Sequence, residues 1–186
     1  MHLKNRHFLT QDEVERILLQ SQKGNNKERN YCMLLICYIH GLRVSELTGL
    51  KLTDLDTKSG VIYIRRLKNG FSTAHPISTR VINAIKTWLP IRNIKLASKK
   101  SPYLFPGRES KMLARQTIYI MIKKYAEQAS LNIQAHPHML RHACGYELAN
   151  QGMDTRLIQD YLGHRNISHT VIYTASNPER FRQINW

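Results

Sequence analysis

Apolar residues return at the three- and four-residue spacing of a helix through most of this chain, and the polar breaks between them fall on capping and turn residues. Thr10-Gln11-Asp12-Glu13 has the form of a capping box, with Val14, Ile17 and Leu18 following on one face. After the polar link QKGNNKERN, a strongly apolar helix is predicted over about 29–40, closed by Gly41, and RVSELTGL makes a short third helix. The period then changes. Val61-Ile62-Tyr63-Ile64 is β-branched and aromatic, Lys68-Asn69-Gly70 is turn chemistry, and a second extended piece runs from Thr73 to Ile77, which together predict a β-hairpin.

Helical spacing resumes with a helix capped by Thr79 and running to Leu89, where Pro90 is expected to end it. A basic, mobile loop, KLASKKSP, comes next. Further helices are predicted over 115–129, over 138–151 after the break at Pro137 and before Gly152, over 154–162 before Gly163, and over 168–174. The tail NPERFRQINW adds a turn or two. The chain shows neither an internal repeat nor a low-complexity linker. The expected fold class is mainly helical with a small antiparallel β-sheet.

Charge sharpens this picture more than composition does. With 186 residues, 42% hydrophobic and 22% charged, the chain can bury a proper core. Its 28 Lys and Arg against 13 Asp and Glu give a net charge of +15. A field of that sign attracts polyanions, so nucleic acid is the leading partner, with an anionic membrane or ribosomal RNA as rivals. No apolar run is long enough to span a bilayer, and MHLKNRHFLT lacks the apolar segment of a signal peptide. Cys32, Cys37 and Cys144 are too few and too irregular for a disulfide framework or a cysteine zinc site, which fits a reducing cytoplasm.

The densest chemistry lies in HPHMLRHAC, residues 136–144. His138 and His142 have the i,i+4 spacing of zinc ligands, but no glutamate stands between them and Arg141 would repel a cation, so no metal is expected. As an ordinary helix, Leu140, Cys144 and Leu148 would form the buried stripe and leave His138 and Arg141 exposed. As an anion cradle, His138 and Arg141 share a face near a helix N-terminus, where the dipole and free N–H groups favour a phosphate. Taken alone the segment favours the ordinary helix, and the rest of the chain has to decide.

Three companions decide it. Gly41-Leu42-Arg43-Val44-Ser45-Glu46-Leu47 lies upstream, Leu162-Gly163-His164 lies downstream, and Thr170-Val171-Ile172-Tyr173-Thr174 closes the series. In that order and at those separations the four pieces resemble the catalytic domain of the tyrosine recombinases, the phage integrase family, over essentially the whole of 1–186. Larger members carry a separate N-terminal DNA-clamping domain, and none is expected here. A bare catalytic domain of this size resembles the small recombinases that invert a promoter segment to switch fimbrial expression in enterobacteria. An integrase or transposase of a mobile element would share the same motifs.

The resemblance implies transesterification: a tyrosine oxygen attacks a DNA phosphodiester, leaving a 3′-phosphotyrosyl link and a free 5′-hydroxyl, and a second 5′-hydroxyl reverses the step. Negative charge builds on the non-bridging oxygens, and guanidinium forks match them in geometry. The resemblance assigns that task to Arg43 and Arg141. It makes Tyr173 the nucleophile, a phenol only roughly 0.1% ionised at neutral pH unless helped. His138 would take its proton or bind the phosphate, and His164 would be a second phosphate donor. Lys68 would protonate the leaving oxygen, although Leu67-Lys68-Asn69 departs from the family's commoner Gly-Lys-Gly form and leaves its placement less fixed. Glu46 is assigned to orienting the site, while His142 reads as a packed, hydrogen-bonded histidine that steadies its helix. Tyr119, Tyr125, Tyr146 and Tyr161 read as core.

Lys95, Lys99, Lys100, Arg108, Lys111 and Arg115 are candidate phosphate contacts, giving affinity and register rather than sequence reading. The segment 111–123 is the candidate for the major groove. No cofactor is expected. The implied partners are duplex DNA with inverted-repeat sites, three further copies in a tetramer on DNA, and host DNA-bending proteins, in the nucleoid of a bacterial cytoplasm. Segment exchange would use Phe181, Ile184 and Trp186 as anchors, unless the tail folds back on its own domain. Two rivals share the fold: a DNA-binding regulator without the chemistry, and a type IB topoisomerase that reseals the strand it cut.

Overall fold

Thr10 begins helix α1 (Gln11–Ser21) with the expected box: its hydroxyl accepts the Glu13 N–H at 3.3 Å, and the Glu13 carboxylate accepts the Thr10 N–H at 2.8 Å. The structure, a computed structural model, describes residues 6–66, 71–96 and 100–175. Helix α2 (Lys27–Ile39) is the axis of the molecule. Every residue from Cys32 to Tyr38 is buried, as a helix apolar on all sides requires. Truncating a core residue here, such as Leu35→Ala, should cost about 2–5 kcal/mol. Gly41 turns the chain at φ +56°, and a Cβ there would collide with Leu162 Cδ2, so only glycine fits. Helix α3 (Val44–Thr48) begins three residues later.

The sheet has three antiparallel strands in the order β1 (Leu55–Asp56), β2 (Val61–Ile64) and β3 (Thr73–Pro76), with Ile62 opposite His75. Ile62 and Ile64 point into the core while Tyr63 points out, the alternation expected of a half-buried strand. β1 adds a strand to the expected hairpin; its two residues are too few to show a period. The turn holding Lys68 lies outside the described residues.

Helix α4 (Thr79–Lys95) corrects the sequence reading at both ends. Ser78, not Thr79, is the cap, accepting the Val81 N–H. The helix also runs through Pro90. Its second half is pinned from outside: Trp88 Nε1 donates to Leu104 O at 3.0 Å, and Arg92 Nη2 donates to the carbonyls of Ser101 and Tyr103, each at 2.7 Å. Those anchors outweigh one missing backbone bond. Lys95 therefore ends a helix instead of opening a loop, and residues 97–99 lie outside the described set.

Four helices complete the fold: α5 (Arg115–Gln128), α6 (Pro137–Asn150), α7 (Thr155–Leu162) and α8 (Ser168–Ala175). Pro137 opens α6 at the position that needs no N–H donor. Asp154 caps α7 through the Arg156 and Leu157 N–H groups, and Gly163 ends it at φ +65°. α6 packs on α1, α2, α7 and α8, so it links the central helix α2 to α8, which carries Tyr173. The proposed tail anchors Phe181, Ile184 and Trp186 lie outside the described residues.

Candidate active site

Arg141 ties distant turns together. From α6, one terminal nitrogen donates to the Gly41 carbonyl and the other to the Leu162 carbonyl at 2.7 Å, so the turn before α3 and the end of α7 are fixed to one guanidinium. The group is 1% exposed, which corrects its reading as a surface residue of an ordinary helix. Burial, with Arg43 and Arg66 nearby, lowers its pKa to about 10.

Arg43 stands at the start of α3, partly exposed. Its Nη1 donates to Glu46 Oε1 at 2.7 Å and its backbone N–H to Oε2 at 2.9 Å. Glu46 is buried and receives a second guanidinium: Arg66 Nη1 donates to Oε2 at 2.8 Å, and Arg66 Nη2 to the Tyr161 carbonyl. Burial alone would raise the Glu46 pKa, but Arg66 and the two Arg43 bonds outweigh it and hold the carboxyl below its ordinary value. Arg66 is the residue the sequence reading missed. Its only signal is an arginine at the end of a predicted strand.

Tyr173 comes in on α8. Its hydroxyl lies 2.9 Å from His142 Nδ1, its ring meets Tyr146 edge-on, and a Cβ on Gly145 would press into the ring at 2.7 Å. The residue is 1% exposed. Burial raises the phenol pKa to about 12 against the opposing pull of Arg141. His142 is thus half-buried and hydrogen-bonded, and its partner is the phenol itself. His164 stacks over the Tyr173 ring with centroids 6.3 Å apart, and its Nδ1 meets Thr170 Oγ1 at 2.9 Å.

His138 is exposed at the start of α6, its ring centroid 5.1 Å from that of His142, and it lines a groove with Arg43, Arg115 and Tyr119. Tyr119 departs from its expected core role, with 43% of its surface open. Of the other basic candidates, Lys100, Arg108 and Lys111 are exposed, Lys111 paired with Glu109, while Lys95 is held by Asn26 at 2.6 Å. Lys99 and Lys68 lie outside the described residues.

The electrostatics of the cluster are one-sided. Burial and the charges of Arg141 and Arg43 push His164 down to about 3, and His138 is lowered by burial, Arg141, His136 and Arg43. Burial, His138 and Arg141 bring His142 down to about 4. Glu46 is the carboxylate that opposes this excess, and Arg43 and Arg66 already hold it. A concave, cationic, largely neutral-histidine site of this kind can accept an anion and help move a proton. Among the described residues no group of three or more His, Cys, Asp or Glu side chains is placed to hold a metal ion, and the three cysteines are free and buried. No described helix is long and apolar enough to cross a membrane.

Comparison with known proteins bears on this geometry. A family model described as the phage integrase family matches residues 7–180. The chain is 51% identical over 178 residues to the type 1 fimbriae regulatory protein FimB of Escherichia coli strain K12, covering 96% of this chain and 88% of that protein. It is 48% identical over 179 residues to FimE of the same strain, covering 96% and 90%. Among solved structures, the XerH site-specific recombinase bound to palindromic difH substrate, a post-cleavage complex, superposes with a TM-score of 0.81 at 25% identity, over 95% of this chain and 51% of that one.

Proposed function

The chain belongs to the phage integrase family, and we propose that it cuts and rejoins duplex DNA as a tyrosine recombinase, inverting a promoter segment between inverted repeats. One observation carries the chemistry: two arginines and three histidines from three separate stretches gather around one buried phenol, with Glu46 already engaged by Arg43 and Arg66. A phosphodiester supplies the missing negative charge.

In this reading Arg43 and Arg141 hold the non-bridging oxygens, and removing either lowers the rate by roughly 10²–10³. His138, from the exposed groove, and His164 donate to the same phosphate. Tyr173 attacks phosphorus, and Lys68 protonates the departing 5′-oxygen. The phosphotyrosyl link conserves the energy of the bond it replaces, so rejoining needs no high-energy cofactor. Arg115, beside Arg43 and His138 in the groove, guides the backbone, with Lys95, Lys99, Lys100, Arg108 and Lys111 as more distant contacts. Residues 1–186 act as one catalytic domain, assembled as a tetramer on DNA by exchange of C-terminal segments and assisted by host DNA-bending proteins in the nucleoid.

The experiment is a plasmid carrying a promoter between inverted repeats taken from beside the fimbrial genes of the source genome. Inversion that depends on the repeats supports the reading. Relaxation of supercoiled plasmid lacking the repeats would make the chain a topoisomerase, and binding with neither outcome would make it a regulator.

A further inference from the structure

We propose that His142 is the immediate proton acceptor for Tyr173, through Nδ1, in DNA cleavage, an inference that rests on the recombinase reading. His138, one turn earlier on α6, is thereby left to the phosphate. The contact is direct: phenol oxygen to Nδ1 at 2.9 Å, with the two rings inclined at 56°, so the groups meet through these two atoms and the rings do not stack.

The phenol is packed against that partner. Gly145 lets the ring lie against the α6 backbone, Tyr146 closes one edge at 5.1 Å, and His164 lies over a face. Acceptor, gap and wall thus succeed one another along a single helix, at residues 142, 145 and 146. His138 is exposed and lines the groove with Arg43, where an incoming strand would lie.

Charge suits the task. The groups that face His142 are His138, Arg141 and His136 of the HPHMLRHAC segment, His7 from the chain before α1, and Tyr173 itself. Burial first, then His138, Arg141, His136 and His7, keep the imidazole neutral. Before DNA arrives, an imidazole lowered to about 4 beside a phenol raised to about 12 leaves the proton on oxygen. A bound phosphodiester offsets Arg141 and makes the imidazole a stronger base when the nucleophile is needed.

The step balances. The Tyr173 O–H bond breaks and its proton passes to Nδ1 as the Oη–phosphorus bond forms; the bond from phosphorus to the 5′-oxygen breaks, and that oxygen takes a proton from the general acid. On rejoining, the same imidazolium returns its proton to the departing phenolate. The tautomer required carries its hydrogen on Nε2 while Nδ1 accepts.

The test uses the full chain and a nicked duplex that traps the covalent adduct, carrying a site selected by the protein from random-sequence DNA. Single-turnover adduct formation is followed from acid to alkaline pH for wild type, His142→Asn, His142→Gln and His142→Ala, with DNA affinity and thermal unfolding measured alongside. We expect the rate to fall about 10²-fold or more, DNA affinity to hold, and the rise of rate with pH to flatten in the Asn and Gln variants. Free imidazole should restore part of the rate to His142→Ala, a rescue that a merely structural role would not show. Variants that cleave at the wild-type rate or faster at every pH would overturn the inference and make the contact a resting latch. Variants that are slow but keep the wild-type pH profile, with no imidazole rescue, would overturn it too. A wild-type protein that forms no adduct would instead sink the recombinase reading itself.

Discussion

Glu46 and Arg66 form an ion pair 2.8 Å long in which the side chains are 1% and 0% exposed. A buried pair of this kind is costly to desolvate, and its value lies in what it fixes. Here Glu46 turns its other oxygen to Arg43, and Arg66 turns its other nitrogen to the end of α7, so the two arginines and the approach to His164 share one carboxylate as their reference point.

Removing that carboxylate should therefore do two kinds of damage. Glu46→Ala strands a buried guanidinium and should destabilise the protein by about 3–5 kcal/mol, read by denaturant unfolding. In the folded fraction, Arg43 loses its tether and DNA cleavage should fall while non-specific DNA binding persists. The lowered carboxyl pKa sets the pH sign: the contribution is complete above the ordinary carboxylate range and is lost as pH falls through the folded value. Glu46→Gln should weaken that part of the acid-unfolding profile.

Gly145→Ala is the sharpest steric test. A Cβ would lie 2.7 Å from two atoms of the Tyr173 ring, so the ring must move. We expect cleavage to fall by about 10²-fold, the scale on which a misplacement of about 1 Å acts, with helix content and DNA affinity retained. Near-ultraviolet circular dichroism, which reports tyrosine packing, should change.

Acid should weaken the fold through a second histidine pair. His40 and His75 are buried with Nδ1 atoms 3.4 Å apart. Burial and the nearby Arg66 lower His40 to about 4, and burial, His40 and Arg66 lower His75 to about 3. The unfolded chain takes up protons near pH 6.5, so between there and the folded values it binds more protons than the native state. Stability then falls as pH falls, by about 1.4 kcal/mol per unit for each histidine. Unfolding midpoints measured from pH 7 down to 4.5 should show this dependence, and His75→Gln should reduce it by about one histidine's share.

Arg115 lines the groove beside Arg43 and His138, whereas Lys95 is bonded to Asn26. Arg115→Ala should reduce the slope of log K against log salt by about 0.9, and Lys95→Ala, as a more distant contact, should reduce it by less. Binding isotherms at several salt concentrations separate the two.

Much of the fold was legible in the sequence because it is local. The Thr10 box, Gly41, Pro137, Asp154 and Gly163 each mark an element end by their own conformational preference, and the helices lie where those marks put them. What escaped was set by partners distant in the chain. Pro90 sits inside α4 because Leu104 holds Trp88 before it and Ser101 and Tyr103 hold Arg92 beyond it. Arg66 meets Glu46 only through the fold. Arg141, which its spacing alone made a surface residue, is buried because carbonyls from two turns converge on it. The order of the four motifs pointed to the arginines and Tyr173, but spacing along a helix could not tell which of His138 and His142 would reach the phenol.

The most direct measurement is to incubate the protein with a nicked duplex that traps the cleaved state and map the adduct by peptide mass. The account predicts DNA joined to Tyr173 through a 3′-phosphate, and no adduct with Tyr173→Phe although DNA is still bound. An adduct on another residue, or one that persists in Tyr173→Phe, would contradict it.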